Sequence, residues 1–391
     1  MTNSIQSVLS PLLIISYVCG LRIVELHLSY SRSWLNLLYI LLLWSVYFFL
    51  LSYTIIIIIS YPVHYSTLYF ICLLLNIFTT LTTVGSGVYN DKKFRKCLKK
   101  LDIVDNTLEQ LNIMTDYQKL YMRTIWLVVG WLMVIILTTC GEAYWLRNQY
   151  NHNVIIAIYV PFVLNYCTHI NHLDDLILAS ILGYIELKFD QINKNFQKVI
   201  RDKHKIKYAR KNPVLNSCHP RFLKIPSNKL MTWVVIHLHL ELQEICREIN
   251  TTFGIQMTLK MALYFSHIAL CLREIFNLIF INNYVHDKIE FIFIISFWII
   301  LNTFKLFFIN FICEKISIKA NATGCFISRI SCSNTDVKIR ENISQFLLHV
   351  AQAPLKFCGI GLFQFGFKYF YQFFKSLTTV VILLIQPFTN K

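Results

Sequence analysis

Charged side chains are scarce in this sequence. Asp, Glu, Lys and Arg together make up 15% of the 391 residues, whereas 55% of the residues are hydrophobic. A soluble chain of this length usually carries about 25% charged residues. The deficit excludes an ordinary water-facing surface over much of the molecule. The 30 Phe and 21 Tyr fit surfaces that face lipid, because aromatic rings are favoured at the membrane interface.

The signatures of soluble enzymes are also missing. The chain has no Gly-x-x-x-x-Gly-Lys-Ser/Thr loop for phosphate, no Gly-x-Ser-x-Gly elbow and no His-Glu-x-x-His zinc motif. Its 12 cysteines include no Cys-x-x-Cys pair, and several lie in apolar runs, where cysteine behaves as a small hydrophobe. His169 and His172 could share a helix face, but a third metal ligand at suitable spacing is missing. The sequence therefore predicts no enzyme, no cofactor, no metal site and no disulfide framework.

Seven stretches are long and apolar enough to cross a membrane as helices. Such a helix needs about 20 mostly apolar residues, each rising 1.5 Å. The predicted spans cover residues 35–60, 67–88, 124–146, 154–184, 255–281, 291–313 and 370–388. Residues 11–20 are apolar but too few to cross, and no small-residue cleavage site follows them. We therefore expect a short helix packed at the cytoplasmic face there, not a signal peptide.

Basic residues gather on one side of these spans. Residues 92–123, 188–229 and 315–356 each carry a group of Lys and Arg, whereas residues 61–66 carry none. The other turns on that opposite side contribute Arg147 and Lys288. Positive residues stay on the cytoplasmic side of a membrane. The sequence therefore predicts a cytoplasmic N-terminus and an extracellular C-terminus, and the net charge of +16 requires no nucleic acid partner.

The cytoplasmic segments have helical periodicity. Apolar residues recur at three- and four-residue steps at Leu98, Leu101, Val104, Leu108 and Leu111. Residues 190–200 continue the fourth span without a helix breaker, and residues 233–253 lead into the fifth span as a charged amphipathic helix. We interpret residues 212–227 as a flexible loop. The predicted fold is a single all-α, seven-transmembrane domain over residues 1–391, with long cytoplasmic helix extensions.

Polar and aromatic residues cluster at the predicted outer ends of the third and fifth spans. A small-molecule pocket needs aromatic walls and a few convergent polar groups. The candidate pocket residues are Glu142, Tyr144, Trp145, Arg273 and Glu274. For each residue taken singly, anchoring at the membrane interface is the alternative interpretation.

Ionisable residues also interrupt the apolar spans. Asp174 and Asp175 lie in the fourth span and Lys260 lies near the inner end of the fifth. Such residues are costly in a bilayer and are often functional. A polar contact near the cytoplasmic boundary is the plainer interpretation of the two aspartates. A lysine so close to a helix end can extend its ammonium to the interface.

The C-terminal third carries a recognisable pattern. The last span reads Thr379-Val380, then five apolar residues, then Gln386-Pro387-Phe388. This segment resembles the insect gustatory receptor family, whose signature is Thr-Tyr, five hydrophobic residues and Gln-Phe. Residues 237–256 and 346–363 are similar to that family's approaches to its fifth and last spans. Thr379 and Gln386 match at the right spacing, whereas Val380 and Pro387 depart from the pattern.

The resemblance implies a tetrameric, ligand-gated cation channel in the plasma membrane of sensory neurons. It implies that the last span lines a shared pore and that a small-molecule tastant binds in the outer half of each bundle. The implied partners are permeant cations, membrane lipid and related receptor subunits in a homo- or heterotetramer. The residues implied to form the pore and gate are Thr379, Leu383, Leu384, Gln386 and Phe388. Gln386 could instead hydrogen-bond a neighbouring helix.

Two other membrane functions remain as alternatives. A G-protein-coupled receptor also has seven spans, but it requires an extracellular N-terminus, which would put all three basic segments outside. A secondary transporter often shows paired repeats with broken helices. No such repeat is visible in this sequence.

Overall fold

The computed structural model describes residues 4–22, 33–60, 67–150, 153–211, 228–280, 288–331 and 337–389. Within these ranges the chain forms ten helices and one small β-hairpin. The helices are α1 (Ile5–Val18), α2 (Ser33–Ser60), α3 (Thr67–Tyr89), α4 (Asp91–Gln110), α5 (Tyr117–Tyr150), α6 (Val154–Lys211), α7 (Asn228–Phe280), α8 (Lys288–Ser331), α9 (Val337–Gln352) and α10 (Phe367–Thr389). The hairpin pairs β1 (Cys358–Gly359) with β2 (Phe363–Gln364) in antiparallel register. The predicted all-α fold is confirmed.

Among the described residues, six helices are long and apolar enough to cross a membrane. They are α2, α3, α5, α6, α7 and α8. The predicted seventh span, residues 370–388, lies inside α10, which has 23 residues. Lys368, Gln372 and Lys375 make the first half of α10 less apolar than the second. The chain is therefore a multi-pass membrane protein, and its exact span boundaries remain predictions.

Three of the membrane helices are far longer than a bilayer requires. α6 has 58 residues and α7 has 53. At 1.5 Å per residue they are about 87 Å and 80 Å long, against a hydrocarbon core of about 30 Å. α8, with 44 residues, also exceeds that core. The predicted helix extensions of the fourth and fifth spans are confirmed, whereas the predicted loop 212–227 lies outside the described residues.

Ion pairs join the α7 extension to α4 and the α8 extension to that of α6. Lys100 in α4 donates to Glu244 and Glu248 in α7, at 2.7 and 2.8 Å. Partial desolvation lowers the pKa of Lys100, but the hydrogen bonds and charges of the two carboxylates outweigh it, so this pKa is raised above its ordinary value. Lys319 in α8 pairs with Glu186 of α6. These contacts hold the extensions together on the predicted cytoplasmic side.

The short N-terminal helix packs against that same side of the bundle. The Ser4 hydroxyl accepts from the backbone N–H of Ser7 and caps α1, and Asp102 in α4 accepts from the backbone N–H of Ile5. Ile5 is fully buried, as is Leu12. The expected helix over residues 11–20 is therefore present but begins earlier. Packing of its apolar face on α4, α5 and α6 keeps it in place.

The β-hairpin fixes the start of α10 against the bundle. The backbone N–H of Cys358 donates to Asn250 of α7, and that of Gly366 donates to Asn310 of α8. Gly366 has φ +147°, a conformation that residues with a Cβ rarely adopt. A Cβ at Gly359 would lie 2.7 Å from the Thr258 hydroxyl. This hairpin was not predicted from the sequence, although Gly359 and Gly366 stand at positions that do not accommodate a Cβ.

Orientation can be tested with the chain's own sequons. Asn250, Asn321 and Asn342 each begin an Asn-x-Ser/Thr sequence and lie on the predicted cytoplasmic side. We expect none of them to carry a glycan in cells, because the glycosylating enzymes work on the opposite side of the membrane. A sequon fused after Lys391 should be modified and serves as the positive control. A glycosidase-sensitive mass shift that disappears in Asn321→Gln would contradict the predicted topology.

Candidate functional site

Three membrane helices place polar side chains at one-turn spacing on faces that meet inside the bundle. The triplet in α6 is Asn165, His169 and His172; α7 contributes Lys260, Tyr264 and His267; α8 contributes Trp298, Asn302 and Lys305. Positions i, i+4 and i+7 share one face of a helix. These nine residues and the polar groups next to them are together called the polar column. Its members are Arg22, Asn76, Glu142, Asn165, His169, His172, Asp174, Asp175, Lys260, Tyr264, His267, Trp298, Asn302 and Lys305.

Glu142 of α5 closes the predicted outer end of the polar column. One carboxylate oxygen accepts from Asn165 of α6 at 2.7 Å, and the other accepts from the indole N–H of Trp298 in α8 at 3.1 Å. The side chain therefore points into the bundle and joins three helices. Glu142, one of the five residues predicted to form a ligand pocket, is thus part of this interior network.

The other predicted pocket residues occupy different positions. Tyr144 is 58% exposed on the outer surface of α5. Trp145 is half-buried, and its ring stacks on Phe291 of α8 with 5.2 Å between centroids. Arg273 and Glu274 are half-buried in α7 and are not among the hydrogen-bond partners of Glu142 in the described part of the chain. The five-residue pocket stays a prediction.

Lys305 and histidines occupy the middle of the polar column. The Lys305 ammonium contacts the Nε2 atom of His172, lies 3.5 Å from the Asn302 side-chain oxygen, and faces the Tyr264 ring at 5.3 Å. His267 is hydrogen-bonded to Asn76 of α3 at 2.9 Å. These contacts tie α3, α6, α7 and α8 together through side chains.

A buried ion cluster forms the predicted inner end of the polar column. The Lys260 ammonium lies 2.7 Å from Asp174 and 2.6 Å from Asp175, and Arg22 lies 3.0 Å from Asp174. The Tyr264 hydroxyl donates to Asp175. Each charge therefore has a partner of opposite sign, which buried ions require.

Aromatic rings complete the surroundings of the ion cluster. The Arg22 guanidinium lies over the rings of Phe94 and Phe253, 4.5 and 4.9 Å from their centroids. Lys260 is 1% exposed, so the interpretation that its ammonium reaches the membrane interface is wrong. The nearby aspartates hold it inside instead. The role of Arg22 was missed entirely, because it precedes the first predicted span.

The last helix exposes the residues that the family signature marks. Thr379, Leu383 and Gln386 follow one another at i, i+4 and i+7, and all three are exposed on the single chain. Phe373 and Leu377 are buried, on the part of the helix that packs against the bundle. α10 therefore has one face that packs on the bundle and other positions that are exposed. The side chains of Leu384 and Phe388 lie outside the described residues.

A small cavity lies apart from the polar column. It has a volume of about 50 Å³ between α1, α5, α6 and α8, and Leu9, Thr124, Ser180 and Phe308 are among its lining residues. The Thr124 and Ser180 hydroxyls donate to carbonyls of their own helices. Their polar atoms are thus satisfied, and we assign this cavity no part in the candidate site.

Comparison with known proteins decides the family. A sequence model of the 7tm Chemosensory receptor family matches residues 9–387. The chain belongs to this family. The predicted resemblance to insect chemosensory receptors is thereby confirmed, and the family is one of receptors, not of enzymes. The sequence of the receptor matches no curated protein at a significant level.

Solved structures agree on the fold of the receptor. It is similar to the insect olfactory receptor OR5 from Machilis hrabei, with a TM-score of 0.68, 10% sequence identity and 98% of each chain covered. The same olfactory receptor in complex with eugenol gives a TM-score of 0.64 and 11% identity, with 97% of each chain covered. At such low identity the likeness concerns the fold alone.

Part of the polar column was visible in the sequence but was not recognised. His169 and His172 were considered as an incomplete set of metal ligands, and Asn165, Trp298 and Lys305 were not singled out. The signal was the recurrence of polar side chains at i, i+4 and i+7 within otherwise apolar spans. That signal shows a polar face on each helix. It does not show which helices meet, because helix pairing is decided by tertiary packing.

Proposed function

We propose that the receptor is a gustatory receptor: a ligand-gated, non-selective cation channel that small-molecule tastants open in the plasma membrane of sensory neurons. Family membership across residues 9–387 supports a chemosensory role. The exposed stripe of Thr379, Leu383 and Gln386 on α10 is the observation that carries the channel. A polar amide can coordinate a partly dehydrated cation, and apolar side chains can close a pore by dewetting.

The stripe on α10 requires several subunits, because one helix cannot enclose an ion path. We therefore propose a homo- or heterotetramer with related receptors, in which four copies of α10 surround the pore. The helix extensions on the predicted cytoplasmic side, where ion pairs join α7 to α4 and α8 to α6, would form the base that joins the subunits. Membrane lipid would surround the outer faces of the assembly.

The ligand site is proposed in the predicted outer half of the bundle. OR5 from Machilis hrabei has been solved with eugenol, a small aromatic molecule. In the receptor, Glu142 and Trp298 provide a polar group and an aromatic wall on helices that meet there. Tyr144, Trp145, Arg273 and Glu274 remain proposed contributors at the same level. Odorants and tastants are both small molecules, so ligand identity must come from experiment.

Recording currents tests the proposed function directly. The receptor would be expressed alone in cells that lack chemoreceptors and challenged with sugars, bitter compounds and odorants. We expect ligand-evoked cation currents that persist when G-protein signalling is blocked. Responses that disappear under this block would favour a G-protein-coupled receptor, and ligand uptake without current would favour a transporter.

Gln386→Ala tests the proposed pore. We expect a shifted reversal potential or a changed single-channel conductance with little loss of surface expression, because a pore-facing side chain touches mainly water. Gln352→Ala, an exposed glutamine in α9, is the control and should leave both quantities unchanged. Unchanged permeation in Gln386→Ala would remove this residue from the ion path. Leu383→Ser should raise the current without ligand if Leu383 contributes to a dewetted gate.

A further inference from the structure

Lys305 is a cation whose contacts within the described residues are with side chains that carry no acidic group. Its contacts are the imidazole of His172, the side-chain oxygen of Asn302 and the ring of Tyr264. Within the described part of the chain, no carboxylate forms an ion pair with it. An ammonium held away from bulk water without an anion is unfavourable unless something else neutralises or solvates it.

The nearby carboxylates are already engaged. Asp174 pairs with both Lys260 and Arg22, and Asp175 pairs with Lys260 and accepts from the Tyr264 hydroxyl. Glu142 is bound by Asn165 and by Trp298, which precedes Lys305 by seven residues in α8. Seven residues correspond to about 10 Å along a helix. Within the described residues, the positive charge at Lys305 therefore has no carboxylate of its own, since Asp175, which attracts it electrostatically, is already paired with Lys260.

A second polar group beside Lys305 also lacks a partner. His169 is 3% exposed, and neither of its ring nitrogens makes a hydrogen bond within the described residues. Its ring lies 5.9 Å from that of His172, the residue that contacts Lys305. Buried polar atoms are nearly always satisfied by protein, water or a ligand.

Space for such a ligand is indicated by the exposure of neighbouring side chains. Lys305, His267, Trp298 and Glu142 all hydrogen-bond across helices inside the bundle, yet each is only half-buried. Side chains that contact facing helices and still keep accessible surface can be reached by a small ligand. The Lys305 ammonium and the indole of Trp298 are therefore both accessible to one.

We propose that the receptor binds a small organic carboxylate at this position. The carboxylate accepts from the Lys305 ammonium, a second polar group of the ligand reaches His169, and Trp298 covers the apolar part. The ligand anion neutralises the charge that the protein leaves unmatched, and charge-assisted hydrogen bonds are stronger than neutral ones. An alcohol of the same size leaves the charge in place and binds more weakly. The inference rests on the proposed function, since it uses the same ligand site.

Thermal unfolding of the purified full-length receptor at neutral pH tests the proposal without requiring channel opening. The probes are butyrate, hexanoate, benzoate and phenylacetate, each compared with its matching alcohol at equal concentration. We expect at least one carboxylate to raise Tm while its alcohol does not. Loss of one hydrogen bond to a charged group should weaken binding of that carboxylate to Lys305→Met by about ten- to a hundredfold.

Two further variants make the test specific to Lys305. Lys305→Arg keeps the charge and should retain carboxylate binding in part. Lys315→Met removes an exposed cation from the same helix and should bind the carboxylate like the wild-type receptor. Lys305→Met itself should fold, because it removes an unmatched charge and replaces it with a similar apolar volume.

The outcomes separate this inference from the channel proposal. No carboxylate stabilising the wild-type receptor, or equal stabilisation of Lys305→Met, would overturn the inference. Neutral tastants that evoke currents while no carboxylate binds would leave the channel standing and the inference refuted. Carboxylate binding that depends on Lys305 but evokes no current would support the inference and count against the channel proposal.

Discussion

Lys260→Met should leave little folded receptor at the cell surface. Lys260 is 1% exposed and lies within 2.7 Å of both Asp174 and Asp175. Among the described residues, its removal leaves Asp175 bound by the Tyr264 hydroxyl alone and Asp174 by Arg22 alone. Breaking a buried ion pair by removing one partner costs about 3–5 kcal/mol. That is a large part of a total stability of about 5–15 kcal/mol.

Surface biotinylation and thermal unfolding of the detergent-purified protein would measure this effect. Lys194→Met is the matched control, because Lys194 forms an exposed i, i+4 pair with Asp190 and its loss should cost at most about 0.5 kcal/mol. The double variant Lys260→Met with Asp175→Asn should recover part of the lost stability, since it removes the unpaired charge. Normal surface expression of Lys260→Met alone would show that the ion cluster does not stabilise the bundle.

Gly87→Ala should destabilise the receptor, whereas Gly85→Ala in the same helix should stabilise it. A Cβ at Gly87 would lie 2.5 Å from the backbone carbonyl oxygen of Leu21 and 3.3 Å from Arg22. The backbone after α1 would have to move, and the move would pull Arg22 away from Asp174. Overpacking of this kind costs about 1–3 kcal/mol. A Cβ at Gly85 meets nothing within 4 Å, so alanine there should add about 0.5–1 kcal/mol of helix stability.

The comparison of the two glycine variants has its own internal control. Both make the same chemical change in α3, two residues apart, so effects on helix propensity and expression are shared. Thermal unfolding should give Tm shifts of opposite sign. Gly87→Ala should destabilise the Asp174→Asn variant less than it destabilises the wild-type receptor, because both changes act through the Arg22–Asp174 contact. Equal shifts in the two variants would show that the close approach of Leu21 to α3 is not maintained.

Long apolar runs predicted the membrane helices well. Residues 35–60 and 67–88 lie within the helices Ser33–Ser60 and Thr67–Tyr89, because the backbone in a bilayer must satisfy its own hydrogen bonds and a helix does so locally. The apolar repeat at Leu98, Leu101, Val104, Leu108 and Leu111 was interpreted as one face of a helix. The first four side chains are buried in α4, whereas Leu111 follows the end of that helix and is half-buried. Local periodicity is sufficient for such predictions.

The candidate site was predicted only in fragments. Glu142 was identified from its position at the end of a span, but its partners Asn165 and Trp298 lie 23 and 156 residues away in the sequence. Asp174, Asp175 and Lys260 were each noticed, yet their pairing with one another was not, and Arg22 was overlooked. Each residue could be explained by itself as interfacial. Their shared burial became visible only when the helices were placed side by side.

The sequence by itself determined the helical class, the family and the predicted orientation of this receptor. These properties depend on local quantities: the length of apolar runs, the side that carries the basic residues, and the C-terminal signature with Thr379 and Gln386. The tertiary structure alone decided that Lys260 is buried with Asp174, that Glu142 faces the bundle interior, and that no carboxylate among the described residues pairs with Lys305. The physical reason is that the sequence of one helix shows only that one of its faces is polar. Whether it meets lipid, water or an opposite charge depends on which helices pack against it, and that pairing joins residues far apart in the chain.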